Sequence, residues 1–419
     1  MNRNPRKRIK KIIPVKILIL CHKMPFPPND GGAIATLNMI QGFAGAGDQV
    51  TVLTMQTHKH PFSIDQLPDS LYENIQWFQV AVNTKINPSK AFLNLLFSKL
   101  PYNAERFISS EFNKNLEKVL QEHQFDIVQL EGLYLTPYTA TIKAFSKATI
   151  ALRAHNVEHE IWDRMQQNTT SWFKKYYYQL LAKRVKEMEF KALRKVDLLI
   201  PITKKDVESL PFKNHGNIWV CPGGMPDNHF QMSKPTKPQS ICFLGALDWV
   251  PNQEGLSWFI ETVWIPVHKK FPQWGFEIAG RNCPKAFVNH LANYPVTFMG
   301  EVPNANDFID QFPVVVVPLL SGSGMRIKIV EALSRGKCVV TTTIGAEGIT
   351  PQNEKELFIY DHPDEIVQLL ENLFSNPQII KACGQNAFKF ASENYKNSRL
   401  IGDLRTFYHQ KLQELHELS

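Results

Sequence analysis

Short apolar segments separated by helical segments recur along almost the whole chain, and this alternation constrains the fold more than any other feature. The predicted strands of the first half are VKILIL (15–20), QVTVLTM (49–55), IQWFQVAV (75–82), DIVQL (126–130), ATIALRA (148–154) and VDLLIPIT (196–203). Those of the second half are SICFLG (240–245), GFEIAG (275–280), VTFMG (296–300), VVVVPL (314–319) and KCVVTTT (337–343). Apolar strands joined by helices are typical of parallel sheets covered on both faces. The sequence therefore predicts an α/β fold of two facing, doubly wound, Rossmann-like domains.

The join between the two units falls in residues 211–240, which are rich in proline, glycine and asparagine. Because such residues mark turns and linkers, we place the boundary near Pro222 to Pro238. The predicted domains are residues 1–222 and 223–395, and residues 396–419 form a closing helix. In open parallel sheets ligands collect at the carboxyl ends of the strands, so the cleft between the domains is the expected site.

Composition limits the classes of partner. Hydrophobic residues make up 43% and charged residues 21% of the 419, which is typical of a soluble globular protein. No apolar run approaches the roughly 20 residues that span a bilayer. Six scattered cysteines without a CxxC pair indicate reduced thiols in a cytosolic protein rather than a metal site. The net charge of +8 favours anionic partners such as nucleic acid, acidic lipid or phosphorylated small molecules.

Two glycines, Gly31 and Gly32, end the loop CHKMPFPPNDGG that follows the first predicted strand. They either open a helix N-terminus that binds a phosphate or form a plain turn before a helix. The chain has no GxxxxGK[ST] pattern, and no GxGxxG follows a strand. These absences disfavour nucleotide triphosphatases and nicotinamide enzymes.

A histidine and an asparagine, His155 and Asn156, follow the strand at 148–154. This position faces the cleft, where His155 could bond a sugar hydroxyl or assist a departing phosphate. The alternative is a structural histidine bonded to a backbone carbonyl. Glu131, which ends the strand at 126–130, occupies a similar position.

The stretch SGSGMRIKIVEALSRG (321–336) combines glycines, two cations and one carboxylate at a loop-to-helix junction. Arg326 and Lys328 lie near the positive end of a helix, where cations are disfavoured unless an anion binds between them. The junction therefore predicts a diphosphate site. Glu331 stands among apolar neighbours and needs hydrogen-bond donors, which a ribose diol supplies. The alternative is a surface helix with scattered charge. Glu347, in the next loop IGAEGI, either touches the ligand or belongs to a turn.

Together these motifs resemble the family 4 glycosyltransferases of the GT-B fold, over nearly the whole chain. The matching segments are PxxGG, HN, FLGALDWVPNQEG, IAGR and GSGMRIKIVEALSRGKCVVTTTIGAEG. The resemblance implies that Glu331 binds the donor ribose, that His155 lies near the donor sugar, and that Gly31 and Gly32 lie near the phosphates. Ser323 stands where the family usually has an acid, as in a subgroup with a GSGxRxK signature. The predicted substrate-binding residues are Gly31, Gly32, Asn156, Gly245, Ser323, Gly324, Met325, Glu331 and Glu347.

The family usually places an Arg and a Lys early in the second domain, but LGALDWVPNQEG contains no basic residue. We therefore assign neutralisation of the diphosphate to Arg326 and Lys328, which join His155 as predicted catalytic residues. The resemblance implies transfer of a sugar, with retention and without metal or other cofactor, from a nucleotide sugar such as a UDP- or GDP-hexose. It places the acceptor, a glycan, lipid-linked or small molecule, on the first domain, onto which the final helix returns.

Two other functions fit the sequence less well. One is a non-catalytic binder of nucleotide sugar, and the other is an epimerase or phosphorylase of the same fold. The basic residues are dispersed and no aromatic platform for bases is evident, so nucleic acid is not an expected partner. Residues 171–197 join aromatic residues to Lys and Arg at helical spacing. This segment either lies on the inner, cytoplasmic face of an anionic membrane or buries its Tyr, Leu and Met stripe against the first sheet.

Overall fold

The computed structural model describes residues 13–169, 171–322 and 324–417, and it contains two parallel six-stranded sheets. The first sheet has the order β3-β2-β1-β4-β5-β6. Its strands are β1 (Lys16–Cys21), β2 (Gln49–Gln56), β3 (Ile75–Ala81), β4 (Ile127–Glu131), β5 (Thr149–Ala154) and β6 (Leu198–Pro201). Its helices are α1 (Gly31–Gly45), α2 (Pro88–Phe97), α3 (Tyr102–Glu105), α4 (Ser110–Glu122), α5 (Thr139–Phe145), α6 (Glu158–Asn168), α7 (Trp172–Ala192) and α8 (Lys204–Ser209).

The second sheet has the order β12-β11-β10-β7-β8-β9. Its strands are β7 (Ser240–Leu244), β8 (Gly275–Ala279), β9 (Thr297–Gly300), β10 (Val314–Val317), β11 (Cys338–Thr341) and β12 (Phe358–Ile359). The helices that follow β7 along the chain are α9 (Val250–Phe259), α10 (Ile265–Lys270), α11 (Lys285–Leu291), α12 (Ala305–Asp310), α13 (Ile327–Ser334), α14 (Pro363–Ser375), α15 (Pro377–Asn394) and α16 (Asn397–Glu417). A π-helical turn, Ile260–Trp264, makes α9 and α10 continuous. The predicted α/β class with two Rossmann-like domains is confirmed.

Both faces of each sheet are covered, as the continuous apolar strands predicted. Leu18 and Leu20 of β1 belong to one core cluster, whereas Ile17 and Ile19 belong to another on the opposite face. This alternation follows from the two-residue period of a strand. The order reverses between β1 and β4 in the first sheet and between β7 and β10 in the second. These switch points open crevices at the carboxyl ends of the strands.

The last helix, α16, lies on the first sheet although it follows the second in sequence. Ile401 and Tyr408 pack in the same core cluster as Ile17 of β1. The guanidinium of Arg405 lies 2.7 Å from the buried carboxylate of Asp48, and this ion pair fixes the helix. The domain limits of 222/223 and 395/396 stay a prediction. No helix in the described ranges combines the length and apolarity that crossing a membrane requires.

Candidate functional site

The N-terminal turns of α1 and α13 meet between the two sheets. A Cβ atom added to Gly31, the first residue of α1, would lie 3.7 Å from Cγ1 of Ile327, the first residue of α13. Helix N-termini carry unpaired amide groups and a partial positive charge. The cleft between the domains therefore has two helix ends that favour an anion.

The terminus of α1 already holds a carboxylate from the chain itself. Asp30 caps the helix by accepting a hydrogen bond of 2.8 Å from the Ala33 amide. Nζ of Lys23 lies 2.6 and 2.7 Å from its two carboxylate oxygens. Burial alone would raise the pKa of Asp30, but Lys23 and the amide lower it below its usual value. A phosphate beside Gly31 and Gly32 would compete with this carboxylate, so the terminus is a weaker anion site than the sequence indicates.

The glycines before α13 are required by the backbone. Gly322 and Gly324 have φ angles of +119° and +81°, which are accessible to glycine and strained for other residues. These angles turn the chain after β10 so that Arg326 becomes the N-cap and α13 begins at Ile327. A Cβ atom on Gly324 would lie 2.6 Å from Oδ1 of Asn156, so Asn156 of the first domain reaches this loop. Ser323 lies outside the described residues.

Lys328 projects from α13 toward the end of β7. Its Nζ donates a hydrogen bond of 3.0 Å to Oδ1 of Asn252 and lies 4.5 Å from the centre of the Phe243 ring. A Cβ atom on Gly245 would lie 3.2 Å from the same Nζ. Burial lowers the pKa of Lys328 to about 7, and the charge of Arg326 lowers it too. An ammonium in this environment is costly unless an anion compensates it.

Arg326 and Glu331 complete this group on α13. The guanidinium carbon of Arg326 lies 5.4 Å from the centre of the Trp249 ring, and burial lowers its pKa to about 10. Burial raises the pKa of Glu331 to about 7, although Lys328 opposes this. Glu331 follows Lys328 by three residues, so the two side chains share one helix face. The structure therefore brings together four of the predicted residues: Gly245, Arg326, Lys328 and Glu331.

Glu347 forms an ion-pair cluster across the cleft. Its carboxylate accepts hydrogen bonds of 3.1 and 3.0 Å from Arg164 of α6 and one of 2.7 Å from Lys205 of α8. Burial alone would raise the pKa of Glu347, but these bonds lower it. Beside it, a Cβ atom on Gly348 would lie 3.1 Å from Cα of Met325. Asn156 and Glu347 both line an interdomain cavity of about 1370 Å³.

His155 bonds a side-chain carboxylate and not the backbone carbonyl of the structural alternative. Its Nε2 lies 2.7 Å from Oε2 of Glu131, which is 2% exposed. Glu131 also accepts hydrogen bonds from Thr36 (3.0 Å), Gln129 (2.5 Å) and Arg153 (3.2 Å). Burial raises the pKa of Glu131, but Arg153 and His155 more than reverse this, and hold it well below its usual range.

The cavity beside His155 is a separate compartment of the first domain. It measures about 270 Å³ and is lined by His155, Asn156, Glu131, Gly32 and Tyr134, among others. The sequence analysis identified the position of Glu131 but did not identify Arg153 as its partner. Two opposite charges in neighbouring apolar strands, IVQLE and TIALRA, were the available signal. No cluster of three or more His, Cys, Asp or Glu side chains placed to hold a metal ion occurs within the described ranges.

Part of the second half of the chain resembles a known protein family. Residues 238–376, about a third of the chain, match the family described as Glycosyl transferases group 1. This part contains Gly245, Arg326, Lys328, Glu331 and Glu347. A Klebsiella pneumoniae protein, described as an uncharacterized 44.6 kDa protein in the cps region, is 23% identical over 404 residues. The alignment covers 93% of this chain and 98% of that protein.

Solved structures resemble the whole chain in fold. Alr3699/HepE of Anabaena, in complex with UDP, has a TM-score of 0.67 at 12% identity, covering 94% of this chain and all of that one. Its UDP-glucose complex has a TM-score of 0.63 at 11% identity, with coverage of 96% and 100%. Sucrose-phosphate synthase of Thermosynechococcus elongatus has a TM-score of 0.69 at 14% identity, with coverage of 95% and 100%. The architecture is therefore the GT-B fold.

Proposed function

We propose that this chain is a glycosyltransferase that moves a sugar from a nucleoside-diphosphate sugar to an acceptor hydroxyl, with retention and without a bound metal. The carrying observation is the group formed by Arg326, Lys328 and Glu331 at the start of α13, beside Gly245. This group adjoins the interdomain cavity through Trp249, which lines the cavity and whose ring lies 5.4 Å from the guanidinium carbon of Arg326. The family match of residues 238–376 and the UDP-glucose complex of a protein with this fold support the assignment.

The three side chains on α13 bind different parts of the donor. Lys328 and Arg326 bind the diphosphate, whose negative charge compensates their desolvation. Glu331 accepts hydrogen bonds from the ribose hydroxyls. As the bond from the anomeric carbon to the diphosphate breaks, the diphosphate leaves with the electron pair, and the two cations stabilise it.

The first domain contacts the sugar that is transferred and holds the acceptor. The Glu131 carboxylate accepts from Nε2 of His155, which fixes the imidazole beside the 270 Å³ cavity. His155 then bonds a hydroxyl of the donor sugar. The acceptor oxygen attacks the anomeric carbon on the face that the diphosphate leaves, and its proton passes to the departing diphosphate oxygen. The nucleotide sugar is thus a co-substrate, and no other cofactor takes part.

The acceptor and pathway are part of the same proposal. We assign the chain to bacterial polysaccharide or glycoconjugate assembly, with a glycan or lipid-linked acceptor. The description of the Klebsiella pneumoniae relative as a protein in the cps region supports this placement.

Nucleotide release from a panel of UDP- and GDP-hexoses tests the proposal. We expect one donor to release its nucleotide diphosphate, with transfer to an added acceptor, and we expect the same rate in the presence of EDTA. NMR of the product should show the anomeric configuration of the donor. A donor that raises the melting temperature without nucleotide release would identify a non-catalytic binder. Conversion of the sugar while still attached to its nucleotide would identify an epimerase.

Donor affinity should pass through a maximum near pH 7. Below that pH, Glu331, whose pKa is about 7, becomes protonated and loses its ability to accept from both ribose hydroxyls. Above it, Lys328, whose pKa is also about 7, loses the charge that binds the diphosphate. Calorimetry with a nucleotide sugar between about pH 5 and about pH 9 should show weaker binding at both ends. An intact nucleotide sugar is the right ligand because it lacks the phosphate ionisation near pH 6 of a free nucleotide.

Two variants separate the limbs of this profile. Lys328→Arg keeps its charge at high pH, so the alkaline limb should flatten. Glu331→Gln has no ionisation, so the acid limb should flatten at lower overall affinity. A wild-type affinity that stays constant across the range would contradict the assignment of these two residues.

A further inference from the structure

Helix α2 and the start of α7 expose an apolar surface that no part of the described chain covers. Of the 21 large apolar side chains that the described residues expose, 10 fall in residues 86–100 and 172–177. The most exposed are Phe97 (81%), Trp172 (70%), Tyr176 (70%), Ile86 (67%), Phe173 (67%) and Phe92 (61%). We call these two segments the α2–α7 surface. Clusters of this kind on a single face mark interaction sites.

Side chains of α7 join it to α2, so the two exposed segments are neighbours. Nη2 of Arg184 on α7 donates a hydrogen bond of 2.8 Å to the Leu95 carbonyl of α2, and Nη1 donates one of 3.2 Å to that of Asn94. Tyr177 and Leu181 of α7 line a small cavity together with Ala91 and Leu95. The later part of α7 is buried, with Leu181, Val185 and Met188 in one apolar cluster. The aromatic start stays exposed, so the structural alternative for residues 171–197 describes only the later part of the helix.

The charge of this surface is of one sign. Residues 86–100 contain two lysines, residues 172–177 contain two more, and neither segment contains Asp, Glu or Arg. Lys90, Lys99, Lys174 and Lys175 are exposed beside the apolar side chains. Aromatic and aliphatic residues flanked by lysines match the interface of an anionic bilayer, where the rings enter the headgroup region and the cations meet the phosphates.

We propose that the α2–α7 surface docks the protein on an anionic membrane. The surface adjoins the candidate active site, because Lys174 and Tyr178 of α7 also line the 1370 Å³ cavity of the cleft. Docking would therefore place the cleft mouth at the headgroup level. Resting on the proposed function, this position defines the acceptor class: a sugar or phosphate carried on a membrane-embedded lipid.

Vesicle flotation tests the docking step separately from catalysis. We expect the wild-type protein to float with vesicles rich in phosphatidylglycerol at low salt, and not with phosphatidylcholine alone. Added salt should weaken the binding because it screens the lysines. The F92S/F97S variant should bind about tenfold more weakly or worse, since both rings lose their apolar contact with the bilayer.

The control is F145S, which removes an exposed phenylalanine of α5 outside the surface. It should float like the wild-type protein. Nucleotide release without vesicles should be equal in all three proteins, so a failure of flotation alone leaves the glycosyltransferase proposal intact. Absence of wild-type flotation, or equal flotation of F92S/F97S, would overturn the docking proposal. So would a dimer that F92S/F97S dissociates, since a second copy would then cover the surface.

Discussion

The combined change Arg326→Ala and Lys328→Ala should lower kcat/KM for the donor about 10²- to 10⁴-fold. Each charge-assisted hydrogen bond to a phosphate contributes roughly 1.5–3 kcal/mol, and the diphosphate would lose both cations. Steady-state kinetics with the donor identified above gives the ratio. Calorimetry should show that the loss includes donor affinity as well as turnover.

Stability should not account for this loss. Burial lowers the pKa of Lys328 to about 7, so its charge is unfavourable in the unliganded fold. Removing that charge relieves a desolvation cost, and we expect the melting temperature of Lys328→Met to equal or exceed that of the wild type. Lys285→Ala, at the start of α11 and exposed, is the matched control and should leave kinetics unchanged. Normal donor affinity in the double variant would remove both residues from the diphosphate site.

The sheets were predictable because their strands are short, apolar and buried on both faces. Each predicted strand overlaps an observed one, since this pattern depends on local sequence alone. Strand β12 was missed because it has only two residues, Phe358–Ile359. Helix α2 was missed as well, although Asn87 caps it and Pro88 begins it. The apolar residues of this segment are mostly exposed. They do not form the buried stripe by which an amphipathic helix is usually recognised.

The candidate site was predictable where residues break a rule of local structure. Arg326 and Lys328 place two cations near a helix N-terminus, and Glu331 places a carboxylate in an apolar stretch. Both departures are visible in the sequence. The partners of Glu347 were not predictable, because Arg164 stands 183 residues away in sequence. The carboxylate of Asp30 at the start of α1 was readable as a helix cap, yet its ion pair with Lys23 required the folded loop.

Tertiary context also explains why the environment of His155 could not be predicted from the sequence. Glu131 ends β4 and Arg153 lies in β5, and the register of these adjacent strands pairs the two residues. Sequence alone gives neither the strand order nor the register. Tyr408 of α16 extends the network by donating a hydrogen bond of 2.7 Å to Oε1 of Gln129. The final helix therefore supports the residues behind His155.

Glu131→Ala should destabilise the first domain by about 3–5 kcal/mol, because it leaves the guanidinium of Arg153 buried without its counter-ion. Both side chains are 2% exposed or less, and their atoms approach to 3.2 Å. Urea unfolding followed by circular dichroism measures the change. The double variant Glu131→Ala, Arg153→Met should recover part of the stability, since an apolar side chain then replaces the unpaired charge.

Glu122→Ala provides the matched control, because it removes a carboxylate from an exposed ion pair with Lys118. That change should cost about 0–1 kcal/mol. The double variant also separates folding from function: with stability partly restored, His155 still lacks the carboxylate that orients it, so turnover should remain low. If Glu131→Ala unfolds at the wild-type urea concentration, the buried pair does not hold the first domain together. If the double variant regains full turnover, Glu131 does not position His155.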